Sequence, residues 1–259
     1  MSEGGPLLSV QGLTKCFGGL TAVQSLDLQV ETGELVGIIG PNGSGKTTAF
    51  NVITGFYAPT HGSIHFQGKP IHGLPSNRIS RAGVARTFQN IRLFPSLTAF
   101  DNVRVAFHAS VKAGLRSAVL RGRRFMEDEQ RIGRAALELL ERFDLARFAF
   151  TDAMHLPYGE QRRLEIARAL ATAPSLLLLD EPAAGMNPTE KVELMDLIRR
   201  VKRDFELTML LIDHDMRVVM GLCERMVVLD HGETIARGSP AEIQRDPKVI
   251  AAYLGVEDA

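Results

Sequence analysis

The sequence predicts an α/β fold, a mostly parallel sheet with helices on its faces, and three observations predict it. Two short apolar runs, Leu35 to Ile39 and Leu176 to Leu179, have the continuous hydrophobicity of parallel strands covered on both sides. The first run feeds a glycine-rich loop, and the second ends in two carboxylates, Asp180 and Glu181. Open α/β sheets bind ligands at the carboxyl ends of their strands, so the loop and the two acids point to one site.

Composition narrows the classes. The chain has 259 residues, which suits one large domain or a domain with an inserted lobe. It is 45% hydrophobic and 23% charged, the balance of an ordinary globular protein. Lys plus Arg and Asp plus Glu are 30 each, so net charge supports neither a nucleic-acid binder nor a membrane-surface binder. Cys16 and Cys223 are too few for a disulfide framework or a zinc site, and fit a reduced, cytosolic compartment. No apolar run approaches the roughly 18 residues that span a bilayer. The N-terminus, MSEGGPLLSV, lacks the basic and then apolar pattern of a signal peptide. A membrane role is therefore expected to come through a partner.

Residues 35–48 read LVGIIGPNGSGKTT. Gly40, Pro41, Asn42, Gly43, Ser44, Gly45, Lys46 and Thr47, with Thr48 after them, give G-x-x-x-x-G-K-[ST] between a strand and a helix. Gly40, Gly43 and Gly45 let the backbone curl so that successive N–H groups face phosphate oxygens. A helix opening near Lys46 aims the positive end of its dipole at the same phosphates. Lys46 is expected to bridge the β- and γ-phosphates of ATP, and the Thr47 hydroxyl to ligate Mg²⁺.

The second strand ends in chemistry of its own. Asp180 is expected to hold Mg²⁺ through water, and Glu181 to polarise the attacking water as general base or positioning group. Phosphoryl transfer needs little covalent help; positioning and charge neutralisation carry it.

Leu156, Pro157, Tyr158, Gly159 and Glu160 open a basic amphipathic helix upstream of that strand. This order of motifs resembles the ATP-binding subunit of an ABC transporter, with Leu156 to Glu160 in the place of the family's LSGGQ signature. The resemblance implies a P-loop NTPase (RecA-like) core with an antiparallel β subdomain and an inserted α-helical subdomain. It also implies that the signature caps the γ-phosphate held by a partner subunit. Gln89, in TFQN, is placed like the Q-loop glutamine, which reaches Mg²⁺ and water. Ala184, Gly185, Met186 and Asn187 sit where the D-loop lies. His214, in IDHD, resembles the switch histidine on the γ-phosphate, and Phe17 the aromatic that stacks on adenine. By resemblance, then, Glu181, His214 and Gln89 are catalytic, and Thr47, Gln89 and Asp180 serve Mg²⁺.

Longer phrases, among them FNVITGFYAPTHGSIHFQG, GVARTFQNIRLFPSLTAFDNV and DEPAAGMNP, resemble the ATPase subunits of branched-chain amino-acid importers. That resemblance implies ATP hydrolysis powering uptake of branched-chain or related amino acids. It implies a second ATPase subunit (like or unlike), two integral-membrane permeases and an extracytoplasmic substrate-binding protein, with no nucleic acid. The expected location is the cytoplasmic face of the membrane, held there by the permease. The ATPase of a lipopolysaccharide or other lipid exporter is the alternative, with a non-transport ABC ATPase behind it. Little chain follows Gly255, so no added C-terminal regulatory domain is expected.

The whole chain, 1–259, reads as one such ATPase domain, with 1–89 and 156–259 as catalytic core and 90–155 as the inserted helical lobe. Strand candidates lie near 7–15, 23–30 and 63–67. Asn187-Pro188-Thr189-Glu190 and Ser239-Pro240-Ala241-Glu242 read as helix starts. His231, between Asp230 and Glu233, reads as a hairpin turn.

Two positions depart from the family pattern. Pro157 replaces the signature serine and has neither hydroxyl nor N–H, so its help to the partner's nucleotide is expected to be weaker. Asn187 replaces the usual D-loop aspartate. Separately, Lys112, Arg116, Arg121, Arg123 and Arg124 form a basic run without an acid. It reads as a solvated face, or more sharply as a patch beside anionic lipid headgroups.

Overall fold

The structure is a computed structural model that describes residues 5–110 and 123–254. Lys112, Arg116 and Arg121 of the basic run, and the side chains of Arg123 and Arg124, lie outside the described residues. Two compact units emerge, one of Met1–Gln89 with Ser175–Ala259 and one of Asn90–Pro174.

The chain starts in the first unit with β1 (Leu8–Phe17), β2 (Leu20–Val30), β3 (Leu35–Ile39), α1 (Lys46–Ile53), β4 (His61–Phe66), β5 (Lys69–Pro70), α2 (Ser76–Arg81) and β6 (Val84–Arg86). It leaves for the second unit, which holds α3 (Ala99–Ser110), α4 (Arg123–Arg142), two short 3₁₀ turns and α5 (Tyr158–Leu170). It returns as β7 (Leu176–Asp180), α6 (Pro188–Asp204), β8 (Thr208–Ile212), α7 (Met216–Leu222), β9 (Arg225–Asp230), β10 (Glu233–Gly238), α8 (Pro240–Ile243) and α9 (Pro247–Leu254).

Strands of the first unit form two sheets. One is antiparallel, in the order β2-β1-β4-β5, with Leu8 opposite both Val30 and Phe66. The other runs β10-β9-β3-β8-β7-β6 and is parallel except for β10. Its inner strands β3, β7 and β8 are buried at every residue, as unbroken apolar runs require. β10 returns antiparallel from β9 through His231 (φ 46°) and Gly232 (φ 84°), the two-residue turn with positive φ that hairpins favour. Leu8, Leu26, Phe50, Ile64, Leu178 and Ile212 belong to one core that joins both sheets with α1. Ordering the sheet this way brings the carboxyl ends of β3, β7 and β8 side by side.

Both predicted helix starts have full capping boxes. The Asn187 side chain accepts from Thr189 N and Glu190 N at 3.0 Å each, and Glu190 accepts from Asn187 N at 2.9 Å. Ser239 and Glu242 make the same reciprocal pair at α8.

The second unit runs on to Pro174, past the boundary at 155/156 read from the sequence, because α5 packs on α3 and α4. A fully buried Asn102 stitches its loop 94–98, donating to Phe94 O, Leu97 O and Thr98 O and accepting from Phe94 N. Beneath α5 a buried pair, Arg162 Nη1 to Glu165 Oε2 at 2.8 Å, receives Arg92 N on the other carboxylate oxygen. Among the described residues no helix is long and apolar enough to cross a membrane. Cys16 and Cys223 are free thiols, and burial pushes the Cys223 thiol up.

Candidate active site

The loop between β3 and α1 has the shape of an anion cradle. Gly40 (φ 147°) and Gly45 (φ 100°) hold conformations that side chains rarely adopt. A Cβ on Gly40 would sit 2.0 Å from Leu229 O, and one on Gly45 2.3 Å from Ala22 O. The neighbouring backbone therefore excludes any larger residue at both turns. Ser44 N closes the loop on Pro41 O at 3.2 Å, and Gly232 N fastens it from the β9–β10 turn through Ser44 O at 3.1 Å. Asn42 and Gly43 are exposed at its tip, Pro41 is half-buried, and Ser44 and Lys46 are buried. α1 starts at Lys46 with no side-chain cap and no acid in its first turn. Its first amides and its dipole are thus left for an anion.

Lys46 Nζ donates to Gly40 O at 2.8 Å and Pro41 O at 2.6 Å, so the ammonium is held inside the cradle. Burial lowers its pKa and the charge of Glu181 opposes the shift. Thr47 is exposed and Thr48 half-buried on the first turn.

The three predicted catalytic side chains converge. Gln89 Nε2 donates to Glu181 Oε2 at 3.0 Å, and His214 Nδ1 lies 3.5 Å from the same oxygen. Glu181 adopts φ 45°, a left-handed conformation that costs a non-glycine residue about 1–3 kcal/mol. Its amide is fixed by Ile212 O at 2.7 Å, at the end of the neighbouring strand β8. The strained turn swings the carboxylate off the line of β7, while Asp180 stays in that strand and is buried.

Around these groups lie residues the sequence reading missed. Arg86 Nη2 donates to Asp180 Oδ2 at 2.6 Å, and the Thr87 hydroxyl accepts from Asp180 N at 3.3 Å. Asp213, fully buried, accepts from Asp215 N at 2.9 Å and Ala183 N at 3.4 Å, tying the His214 turn to the segment after Glu181. Burial pushes the Asp213 carboxyl up, against those amide hydrogen bonds. A charged residue in a buried strand was the available signal for Arg86, since such residues are almost always paired. For Asp213 no sequence signal separates it from an ordinary loop acid.

Phe17 ends β1, 41% exposed, with the edge of one ring against the other's face at 5.1 Å from Tyr57 and with Lys15 Nζ 4.9 Å from its centroid. Ala184, Gly185 and Met186 form a tight turn, closed by Ala184 N on Glu181 O at 3.2 Å and Met186 N on Ala183 O at 3.3 Å. The Asn187 side chain is engaged in capping α6.

Leu156 to Glu160 belong to the second unit, and the phosphate loop to the first. Leu156 is buried and its carbonyl accepts from Gln161 Nε2 at 2.8 Å. Pro157 is the N-cap of α5 rather than its first helical residue. Its extended ψ of 154° suits a proline, its carbonyl accepts from Gln161 N at 3.0 Å, and no side chain caps the helix. Tyr158, Gly159 and Glu160 form the first turn, with nothing within 4 Å of a Cβ placed on Gly159. Glu160 lies 3.6 Å from Arg147.

The chemistry of this donor set suits a nucleotide polyphosphate: a cradle of backbone, one buried ammonium and an uncapped helix start. It also suits a divalent cation that arrives with the phosphates. The described residues contain no cluster of three His, Cys, Asp or Glu side chains able to cage a metal alone. Magnesium in phosphate sites needs only one or two carboxylates beside the phosphates; Asp180 is such a carboxylate, and Thr47 and Gln89 carry further oxygen donors.

A family model described as "ABC transporter" matches residues 23–184. A second, described as "Branched-chain amino acid ATP-binding cassette transporter", matches residues 233–259. The high-affinity branched-chain amino acid transport ATP-binding protein LivG of Escherichia coli (strain K12) is 48% identical over 250 residues, covering 96% of this chain and 98% of that one. The lipopolysaccharide export system ATP-binding protein LptB of the same strain is 36% identical over 248 residues, covering 96% and 97%. The ADP conformation of MJ1267, an ATP-binding cassette of an ABC transporter, superposes with a TM-score of 0.83 at 29% identity, covering 96% and 99%.

Proposed function

The chain belongs to the ABC transporter family of ATP-binding subunits, and from that premise we propose that it hydrolyses ATP to power uptake of branched-chain amino acids through membrane permeases. The observation that carries the hydrolytic half is the meeting of Gln89, Glu181 and His214 around one carboxylate oxygen, at 3.0 and 3.5 Å. The cargo half is supported by 48% identity to LivG against 36% to LptB, and by the C-terminal match over residues 233–259.

Each residue has work its position suits. Backbone N–H groups at the loop's end and the uncapped start of α1 bind the phosphates, and Lys46 offsets the charge that shifts to the β–γ bridge as that bond breaks. Phe17 offers an aromatic surface to the adenine. Glu181 accepts a hydrogen bond from the attacking water and takes its proton as the oxygen bonds to the γ-phosphorus, giving ADP and phosphate. Gln89 orients the same carboxylate and water, and His214 donates toward the γ-phosphate. Thr47, Asp180 and Gln89 would hold Mg²⁺, which would supply charge neutralisation of the phosphates.

The subunit pairs with a second ATPase subunit, so that the uncapped start of α5 meets the partner's γ-phosphate. Pro157 leaves that contact to the Gly159 amide, its neighbours and the helix dipole. Ala184 to Asn187 lie at the same interface. Two permeases hold the pair at the cytoplasmic face of the membrane, and an extracytoplasmic binding protein delivers the amino acid.

Purification of the tagged chain from detergent-solubilised membranes, followed by ATPase assay with loaded binding protein, tests this. Two permeases, a second ATPase, and turnover raised by leucine, isoleucine or valine are expected. Recovery with a lipid-exporting permease, or turnover indifferent to these amino acids, would contradict it.

A further inference from the structure

Arg86 sits at the end of β6, three residues before Gln89, with its side chain only 6% exposed. Its guanidinium makes three hydrogen bonds to two other elements. Nη2 donates to Asp180 Oδ2 at 2.6 Å, at the end of β7. Nη1 donates to Asn51 Oδ1 at 2.8 Å and Thr54 Oγ1 at 3.1 Å, on the helix that begins at Lys46 and just after it. The rings of Phe50, Phe56 and Phe88 lie 5.6, 5.8 and 5.2 Å from the guanidinium carbon. Arg86 Nε, buried, makes no hydrogen bond.

Stability alone is a poor reason for such an arrangement. A buried ion pair roughly breaks even against well-packed apolar residues, and here one donor is left unsatisfied as well. What the arrangement does achieve is orientation. The fork reaches Asp180 with one nitrogen and the phosphate-loop helix with the other, a geometry a single ammonium cannot reproduce. The pair takes only Oδ2 of Asp180, so Oδ1 stays outside it.

From this geometry we infer that Arg86 is a positioning residue, which locks the Asp180 carboxylate so that Oδ1 faces the divalent cation bound with the nucleotide. The inference rests on the nucleotide reading above and deepens it. The strand that leads to Gln89 thereby fixes the metal-facing acid to the phosphate-loop helix.

The test is the gain in affinity for a non-hydrolysable ATP analogue when Mg²⁺ replaces EDTA, measured by calorimetry on the full chain. Arg86→Gln is expected to lower that gain on the order of 10-fold, the usual effect of removing a group that orients a metal ligand. Affinity in EDTA should hold, and Arg86→Lys should recover part of the gain. Asn51→Ala keeps the ion pair but loosens the fork, so a smaller loss in the same direction is expected even if Arg86→Gln does not fold. Equal loss with and without Mg²⁺ would reduce Arg86 to general structural support and overturn the proposal, as would an unchanged gain in all three variants. Asp180→Asn should show the full loss by itself. An unchanged gain there would overturn the metal role of Asp180, and the proposal with it.

Discussion

The side-chain amide of Gln89 donates to the Glu181 carboxylate at 3.0 Å, across the gap between the end of β6 and the end of β7. One lone pair of Glu181 Oε2 is thus engaged, and the carboxylate is aimed by a residue outside its own turn. His214 Nδ1 approaches the same oxygen at 3.5 Å from the end of β8. Segments following three adjacent strands therefore converge on one oxygen.

Glu181 is the group we propose takes the proton, and Glu181→Gln would remove that base and keep the shape. Steady-state phosphate release is expected to fall about 10²- to 10⁴-fold, with affinity for ATP retained in equilibrium binding. Residual turnover within a few-fold of the parent would remove Glu181 from that role.

Asn187 presents a separate question, because its side chain caps α6 through Thr189 N and Glu190 N. Asparagine and aspartate cap almost equally well. Asn187→Ala is expected to lower stability by about 1 kcal/mol in denaturant unfolding, and Asn187→Asp to keep it. A neutral alanine variant would mean that the cap is not used in solution.

Stability should also carry a signature of Asp213. Burial raises its pKa, so the folded state binds that proton more tightly than the unfolded state. The contribution of Asp213 to stability then falls as pH rises from the ordinary carboxylate value of about 3.9 through its folded value. Asp215, held low chiefly by its hydrogen bond with Lys191, has the opposite sign and loses its contribution as pH falls. Asp213→Asn keeps one acceptor for Asp215 N and removes the titration. Melting curves at stepped pH are expected to show the variant gaining on the parent as pH rises above about 4. A difference that does not change with pH would contradict this.

Pro157 leaves its helix start without a side-chain cap. One charge-assisted hydrogen bond is worth about 1.5–3 kcal/mol. Pro157→Ser is therefore expected to raise turnover of the reconstituted complex roughly 10- to 100-fold if the donor acts only in the transition state. Unchanged turnover would show that the Gly159 amide and its neighbours already suffice.

Local features were the legible part of this chain. The strand–loop–helix from Leu35, the acids ending Leu176–Asp180 and the two capping boxes are written in short windows, where periodicity and turn chemistry act directly. Gln89, Glu181 and His214 came from motif order, and the sheet order brings their strand ends together. Arg86 offered only a charge in a buried strand, without its partners, and Asp213 was not legible. Their partners are 32 to 94 residues away in one case, and backbone amides on two loops in the other. The end of the second unit at Pro174 was likewise a packing fact, set by the partners of α5 rather than by any break in the sequence.

Uptake of labelled leucine, isoleucine and valine into proteoliposomes carrying the complete complex tests the central claim most directly. ATP-dependent accumulation with the parent chain, lost in Glu181→Gln while nucleotide binding persists, is the predicted result. Accumulation that survives Glu181→Gln, or a complex that moves a lipid and none of the three amino acids, would contradict it.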